Sequence, residues 1–418
     1  MTGRRTRPGP LPVALALALA VMTAGVARAQ ESDSTAASPP EDAAGRLESL
    51  VEQVQTLQSD TDKLKRFKLS GYVQARFETA ENSSDSVRAA GNPPAYTPTA
   101  VERFYIRRGR LKLTYDASPL SQAVVYFDGG TDRTIRLLEA YVQLLDPWTS
   151  DHRHQLWAGQ FNVPFGYEIE RSSSLRELPE RSRAENVLFP GERDRGIKAV
   201  LALTPQLEAV VAVLNGGGIN HPDFPNTDPT RGKDVLGRAR WSQGVFDAAV
   251  SYYHGRNLTP LTGADVENDK TRFGADAQVF YELPTLGGGS LRGEMYQGVN
   301  LNPVVVRALT DTTAAGIFLT PGADPDDFAT DFLGGYVMWV QNLGEKFQFA
   351  ARAESFDPDD DVDHDQFERL SLALHGFYDG FTRLTVAYDV PRTDRSLGGG
   401  RYEDPKDNLW TVQVQHRF

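Results

Sequence analysis

Arginine is the residue type whose placement along this chain could do chemistry. Arg107, Arg108, Arg110 and Lys112 crowd into six positions, and Arg76, Arg238, Arg240 and Arg352 recur where polar and apolar residues alternate. Adjacent like charges repel unless something negative or well hydrated faces them. Cations lining a narrow, partly desolvated passage attract anions, and the guanidinium fork suits phosphate oxygens. The alternative for each is an ordinary solvated side chain paired with Glu78, Glu139, Glu294 or Glu354. A second group, Arg171, Arg176, Arg181 and Arg183, stands with Arg193 in the segment Val163 to Arg193. Six acids accompany it: Glu168, Glu170, Glu177, Glu180, Glu185 and Glu192.

Enzyme chemistry finds no comparable support. G-x-S-x-G, H-E-x-x-H and G-x-x-x-x-G-K-[ST] are all missing from the sequence, and of seven histidines only His152 and His154, flanking Arg153, approach metal-ligand spacing. The glycine runs at Gly216 and Gly287 fit turns better than phosphate cradles. The acidic stretch Asp357 to Asp365 lacks the glycine turn and terminal glutamate of a calcium loop and reads as a solvated loop. No catalytic residue, metal site or cofactor is expected, and the chain is read as no enzyme.

The elements that must position the arginines are strands. From Phe67 the pattern has period two: Phe67, Leu69, Gly71, Val73, Ala75 and Phe77 alternate with Lys68, Ser70, Tyr72, Gln74, Arg76 and Glu78. At the other end Trp410, Val412, Val414 and Phe418 alternate with Thr411, Gln413, Gln415 and Arg417. One face suits lipid and the other water. Short links, such as Thr204-Pro205-Gln206, Ser242-Gln243-Gly244, Asn342 to Glu345 and Tyr378-Asp379-Gly380, alternate with long polar excursions. Those excursions are Thr79 to Glu102, Val163 to Arg193, Asn215 to Gly232, Gly255 to Lys270 and Asn300 to Thr330. A soluble sandwich has no reason to alternate them, whereas an outer-membrane barrel has turns on one side and loops on the other. The reading is an all-β chain: a single transmembrane antiparallel β-barrel of about sixteen strands over residues 67–418, wide enough for an aqueous channel. Arg76, Arg108, Arg110, Lys112, Arg238, Arg240 and Arg352 fall on the water parity. The long segment after the fifth strand, with Arg171, Arg176, Arg181 and Arg183, is expected to fold inward and set a constriction.

Ahead of the barrel, residues 1–29 have a basic start, an apolar run from Leu11 to Val26 and the A-x-A pair Ala27 and Ala29, the pattern of a secretory signal peptide. Residues 30–45 read as a flexible spacer. In residues 46–66, Leu47, Val54 and Thr61 alternate with Leu50, Leu57 and Leu64 at heptad spacing, which predicts a short periplasmic coiled-coil helix joining protomers; the alternative is a helix lying on its own barrel. The formal charge is −12, and removing Arg4, Arg5, Arg7 and Arg28 with the signal leaves −16, which argues against a nucleic-acid partner. A mean hydropathy of −0.41 places any membrane residence in strands. Zero cysteines fit an oxidising compartment.

Particular strings carry a resemblance. LWAGQFNVPFGYE (Leu156 to Glu168), VLNGGG (Val213 to Gly218), KDVLGRARW (Lys233 to Trp241) and RAESFDPDDD (Arg352 to Asp361) resemble the phosphate-selective porin O and P family of Gram-negative outer membranes. FKLSGYVQARFE (Phe67 to Glu78) and FYIRRGRLKL (Phe104 to Leu113) resemble its first two strands. The resemblance implies a sixteen-stranded barrel, a homotrimer in outer-membrane lipid and lipopolysaccharide, and an arginine-rich eyelet conducting phosphate or polyphosphate. It matches Arg107 and Arg108 to the paired arginines of the second strand and likens Phe418 to the signal read by the barrel-assembly machinery. Tyr72 stands where phosphate-specific members have arginine after two glycines, and Ser70 replaces the first of those glycines. The function expected is passive diffusion of small hydrophilic solutes with a preference for anions; the alternatives are a non-selective pore and a barrel-anchored structural or adhesive protein.

Overall fold

Alternation with period two gives each strand two faces, and a sheet with one greasy and one wet face removes its edges by closing. The computed structural model describes residues 41–81, 102–130, 134–219, 232–261, 264–301, 329–398, 400–404 and 407–418. Its first strands are β1 (Phe67–Ala80), β2 (Glu102–Ser118), β3 (Ser121–Asp128), β4 (Arg136–Leu145), β5 (Gln155–Asn162) and β6 (Arg193–Ala202). The chain continues through β7 (Leu207–Leu214), β8 (Asp234–Gln243), β9 (Phe246–Leu261), β10 (Ala264–Leu283), β11 (Gly287–Leu301) and β12 (Ala329–Leu343). It ends with β13 (Phe347–Asp357), β14 (Phe367–Phe377), β15 (Thr382–Thr393), β16 (Arg395–Gly398), β17 (Arg401–Glu403) and β18 (Leu409–Arg417). Strands β1 to β15 pair with their sequence neighbours, all antiparallel, and β18 joins β15 to β1, closing a barrel of sixteen strands; β16 and β17 form a separate small hairpin.

Closure depends on one glycine. Gly71 N–H donates to the Phe418 carbonyl and Phe418 N–H to the Gly71 carbonyl, each at 3.0 Å. A Cβ on Gly71 would lie 2.4 Å from the Arg110 carbonyl oxygen and 2.7 Å from the Phe418 ring, so a side chain there would push the last residue off the first strand.

The two faces separate as the alternation requires. On β1, Leu69 and Val73 are exposed outward, whereas Tyr72, Gln74, Arg76 and Glu78 are buried inward; on β18, Trp410, Val412 and Val414 are exposed and Thr411, Gln413 and Gln415 buried. Outward aromatics pair at both ends of the wall, Phe67 with Tyr115 and Phe77 with Phe104, the placement of an interfacial girdle.

Two departures from simple alternation matter. The β1–β2 register shifts from Gln74↔Arg108 to Ala75↔Ile106, so Arg107 is the extra residue of a bulge. Before it the even residues Phe104 and Ile106 face outward, and after it the odd residues Leu111 and Leu113 do. The bulge therefore lets Arg107 and Arg108, neighbours in sequence, both reach the interior. The second departure corrects the expected excursion from Gly255 to Lys270: the β9–β10 ladder continues to the pair Leu261↔Ala264. Polar residues in that span did not end the strands, because β10 there pairs residue for residue with β9 and its backbone groups are satisfied by the ladder.

Residues 41–64 form a separate unit. Helix α1 (Glu41–Lys65) starts earlier than the expected residue 46, since Ala43 and Ala44 are strong helix formers and Glu41 and Asp42 suit an N-terminus. Leu50, Val54, Leu57 and Leu64 are each half or more exposed along it. Residues 1–40, which hold the expected signal peptide and most of the spacer, lie outside the described residues. So does most of the loops expected at Thr79 to Glu102, Asn215 to Gly232 and Asn300 to Thr330.

Candidate functional site

Between β5 and β6 the chain leaves the wall and runs through the inside of the barrel. Val163-Pro164 stops the ladder, since proline has no N–H to donate. Gly166, at φ +63°, then turns the backbone. The segment's apolar residues explain why it goes inward: Val163, Phe165, Ile169, Ala184, Leu188 and Phe189 are all buried. They pack against inward residues of the wall such as Phe161, Leu214, Leu236, Tyr253 and Tyr296. A fully solvated loop would leave that apolar surface in water at roughly 1.5–3 kcal/mol per large side chain. Near its end the segment forms one short helix, α2 (Arg183–Leu188), capped by Ser182, whose hydroxyl accepts from Glu185 N–H.

The other side of this strap is polar and reaches the first strands and the last. Glu180 binds Arg76 (2.6 Å) and Arg107 (2.9 Å) and lies 3.9 Å from Arg108. Ser173 accepts from Arg110 at 2.9 Å and meets the Tyr72 hydroxyl, and its carbonyl accepts from Gln74 at 3.2 Å. The Ser174 carbonyl accepts from Gln415 at 2.9 Å. On the far wall, Arg352 pairs with Glu168 at 2.9 Å and donates to the Glu180 carbonyl, and Arg292 pairs with Glu177 at 3.0 Å. Glu294 accepts backbone N–H groups from Tyr167 and Glu168, while Arg238 donates to the Gly166 carbonyl. The strap is thus fastened to opposite walls, and in each of these pairs both side chains are mostly buried, so breaking one partner is costly.

The sequence-singled arginines separate by what they touch. Arg76 is shared by Glu78 and Glu180, Arg110 is held by Asp128 at 2.8 Å, Arg238 by Asp276 at 3.1 Å, and Arg352 by Glu168 and Glu354. Arg240 sits on the inward parity of β8 near its turn and pairs with Asp247. Lys112 stands 5.9 Å from the centre of the Tyr126 ring. Within the strap, Arg171 binds Glu177 at 2.6 Å, Arg181 binds Glu192 at 2.8 Å, and Arg183 lies over the Phe367 ring at 4.8 Å. Phe418 is at the barrel seam.

Arg176 differs from these. It is only 4% exposed, and none of its three guanidinium nitrogens has a hydrogen-bond acceptor among the described residues. Its charge is felt at Arg108, whose Nη1 donates to Gln74 at 3.0 Å and whose Nε has no acceptor. Burial first, and the neighbouring Arg181 second, push the Arg176 guanidinium down to about 10. Arg108 and Arg176 therefore form a surplus of positive charge where strap meets wall. Glu180, Glu177 and Arg292, fasteners of the strap, carry no site role in the sequence, and Glu294, expected as the partner of an arginine, instead accepts from the strap's backbone. Their signal was inward parity on β11 for Arg292 and Glu294, and nothing beyond composition for the strap acids.

No family model matches the chain, and no curated protein does. Among solved structures it is similar to the outer-membrane channel DcaP of Acinetobacter baumannii, at 13% identity, covering 84% of this chain and 97% of that one with a TM-score of 0.59. It is similar to an anion-selective porin from Comamonas acidovorans at 12% identity, covering 84% and 99% with a TM-score of 0.55. OprB of Pseudomonas putida matches at 11% identity, covering 86% and 96% with a TM-score of 0.56. At such identities the likeness is one of fold alone, that of a closed sixteen-stranded antiparallel β-barrel.

Proposed function

We propose that the chain is a porin of the Gram-negative outer membrane, a passive diffusion channel for small hydrophilic solutes that prefers anions such as phosphate or polyphosphate. It carries no chemical conversion. The observation that carries the preference is Arg176, a buried guanidinium with three unpartnered nitrogens beside a half-partnered Arg108 where the strap meets the wall. A passing oxyanion supplies the acceptors those nitrogens lack, and a cation meets their surplus charge. Arg76, Arg107, Arg110, Arg238 and Arg352, each paired with an acid, act mainly by holding the strap and the wall. The anion-selective porin among the similar folds agrees with this reading.

The remaining assignments belong to the same proposal. Residues 1–29 direct secretion, α1 joins protomers as a periplasmic coiled coil, and Phe418 engages the barrel-assembly machinery. A homotrimer is supported by the uneven wall: β3 to β8 have 8 to 10 residues, whereas β9 to β12 have 15 to 20. An eight-residue strand tilted at about 45° rises about 19 Å, short of an apolar band of about 25 Å, so the low side is better covered by protein than by lipid.

The test is the reversal potential of the purified protein in a planar bilayer under a potassium chloride gradient. An anion preference that falls toward neutrality in Arg108→Gln plus Arg176→Gln is expected. A cation preference in the unaltered protein, or an unchanged ratio in the variant, overturns the assignment. The strap's double fastening also fits a plugged barrel that serves as an anchor, and absence of conductance steps selects that reading.

A further inference from the structure

We propose that the α2 side of the strap is a proton-dependent latch, docked when Glu185 and Glu294 share a proton and released when they lose it. This rests on the reading of the barrel as a channel. The geometry is a matter of counting hydrogens. Tyr296 Oη lies 3.1 Å from Glu185 Oε1 and also contacts Glu294 Oε2. A phenol has one hydrogen, so it can donate to one carboxylate only. The second contact closes as a hydrogen bond when that carboxyl itself carries a proton and donates to the phenol oxygen. The other Glu294 oxygen is already occupied by the N–H groups of Tyr167 and Glu168. Glu185, Glu294 and Tyr296 are all buried, and the second oxygen of Glu185 has no hydrogen-bond partner among the described residues.

The surroundings do not supply the missing positive charge. From the strap, Arg181 is 3.8 Å from Glu185 but pairs with Glu192 at 2.8 Å. From β8, Arg238 is held by Asp276 of β10, and from β13, Arg352 is held by Glu168 and Glu354. The other charged groups felt by the pair are acids, Glu168, Glu192 and Asp276. From β12, Tyr336 adds a hydroxyl without a partner. Burial first, then Glu168 and Glu294, raise the Glu185 carboxyl well above its ordinary range.

The sign follows by linkage. A solvated glutamate is ionised above about pH 4.3, while the docked pair holds a proton, so docking takes up a proton. Docking is complete at low pH and is lost as pH rises through the docked value, its ratio falling up to tenfold per pH unit. The fastening of Glu180 to Arg76 and Arg107 is independent of this pair, so alkaline release frees the α2 side and leaves the Ser173 to Glu180 side in place.

The experiment is single-channel recording of the full chain in planar bilayers from pH 5 to pH 10. Expected is a stepwise rise in conductance or in flicker above a threshold pH, abolished in Glu185→Gln, which stays neutral and docked throughout. Glu294→Gln, which still accepts the two backbone N–H groups, is a second variant with the same expected loss. Heat-modifiable gel migration establishes that each variant is a folded barrel. A conductance independent of pH in the unaltered protein, or a threshold shifted by less than half a unit in both folded variants, overturns the latch and leaves the channel standing. No conductance at any pH overturns the channel reading instead.

Discussion

Glu180 is the acid shared by three arginines where the strap meets the first two strands, and withdrawing its charge has a calculable effect. Its carboxylate is 2.6 Å from Arg76, 2.9 Å from Arg107 and 3.9 Å from Arg108. Glu180→Gln keeps the shape and one acceptor and takes one negative charge away from three guanidinium groups. An ion passing about 5 Å away feels a unit charge as about 0.8 kcal/mol in water-like surroundings, about fourfold in its Boltzmann weight. A Debye length of about 10 Å at 0.1 M salt trims this to about 0.5 kcal/mol, and one of about 3 Å at 1 M salt to under about 0.2 kcal/mol. Anions gain what cations lose, so the permeability ratio moves about fivefold toward chloride at 0.1 M and less than about twofold at 1 M. Breaking a buried pair costs about 3–5 kcal/mol. The low end applies, because Arg76 keeps Glu78 at 3.1 Å and Gln413 at 2.8 Å. The ties of Arg352 to Glu168 and of Arg292 to Glu177 keep the strap in place. Reversal potentials at the two salt concentrations are the assay. A ratio unmoved at 0.1 M, or moved toward potassium, refutes the reasoning; a several-fold rise in conductance at constant ratio means that the strap has left the lumen.

Two other predictions concern different parts of the barrel. Gly71→Val is expected to cut the yield of folded, heat-modifiable barrel several-fold, since its Cβ would meet the Arg110 carbonyl oxygen at 2.4 Å; a yield equal to the unaltered protein would show that the seam tolerates a side chain. In the loop after β13, burial and the nearby carboxylates of Asp357 and Asp359 push Asp365 up to about 7. A raised value means that the loop's arrangement is fully stabilised below about pH 4 and loses that contribution as pH rises through about 7. Amide exchange of residues 358–366, corrected for intrinsic rates, should therefore be slower at pH 5.5 than at pH 8. Asp365→Asn should remove the difference, and equal protection at both pH values in the unaltered protein contradicts the assignment.

The wall was legible in the sequence because a strand's side-chain parity is a local property. Leu69 and Val73 outward, Gln74 and Arg76 inward, needs only the spacing of two. The same locality explains the two places where the reading stopped short. A bulge is invisible to parity, so only the resemblance to paired arginines points Arg107 inward, and the register shift at Gln74/Ala75 supplies the reason it can lie there. The polar stretch from Gly255 to Lys270 read as a loop because β-propensity was judged without the partner strand that satisfies its backbone. The site was legible at the level of the arginines and of their partners on the wall, since Glu78 and Glu354 do pair with Arg76 and Arg352, and not at the level of their partners on the strap. Glu180 and Arg76 are 104 residues apart, and Arg352 and Glu168 are 184 apart, so no local rule could say which guanidinium would be neutralised and which left over.

That remainder reconciles an acidic chain with the anion preference proposed for its passage. The formal charge of −12 is a sum over the whole sequence, but charges farther than about 8 Å from the passage are screened at physiological salt. Where strap and wall meet, Arg76, Arg107, Arg110, Arg292 and Arg352 each have an acid 2.6–3.0 Å away, and a neutralised pair acts on a passing ion as a dipole, whose field falls off faster than that of a single charge. Gross counts of lumen arginines therefore overstate selectivity. Groups with no acid in hydrogen-bond contact, such as Arg108 and Arg176, outweigh the more numerous paired ones, as one uncompensated charge at about 5 Å outweighs several compensated pairs at the same distance. Adding acids to the outer loops should then leave the permeability ratio at physiological salt unchanged, whereas a single acid placed against Arg108, as in Gln74→Glu, should carry it toward neutrality. A loop acid that shifts the ratio as far as Gln74→Glu does would show that the preference is set by the field of the whole molecule.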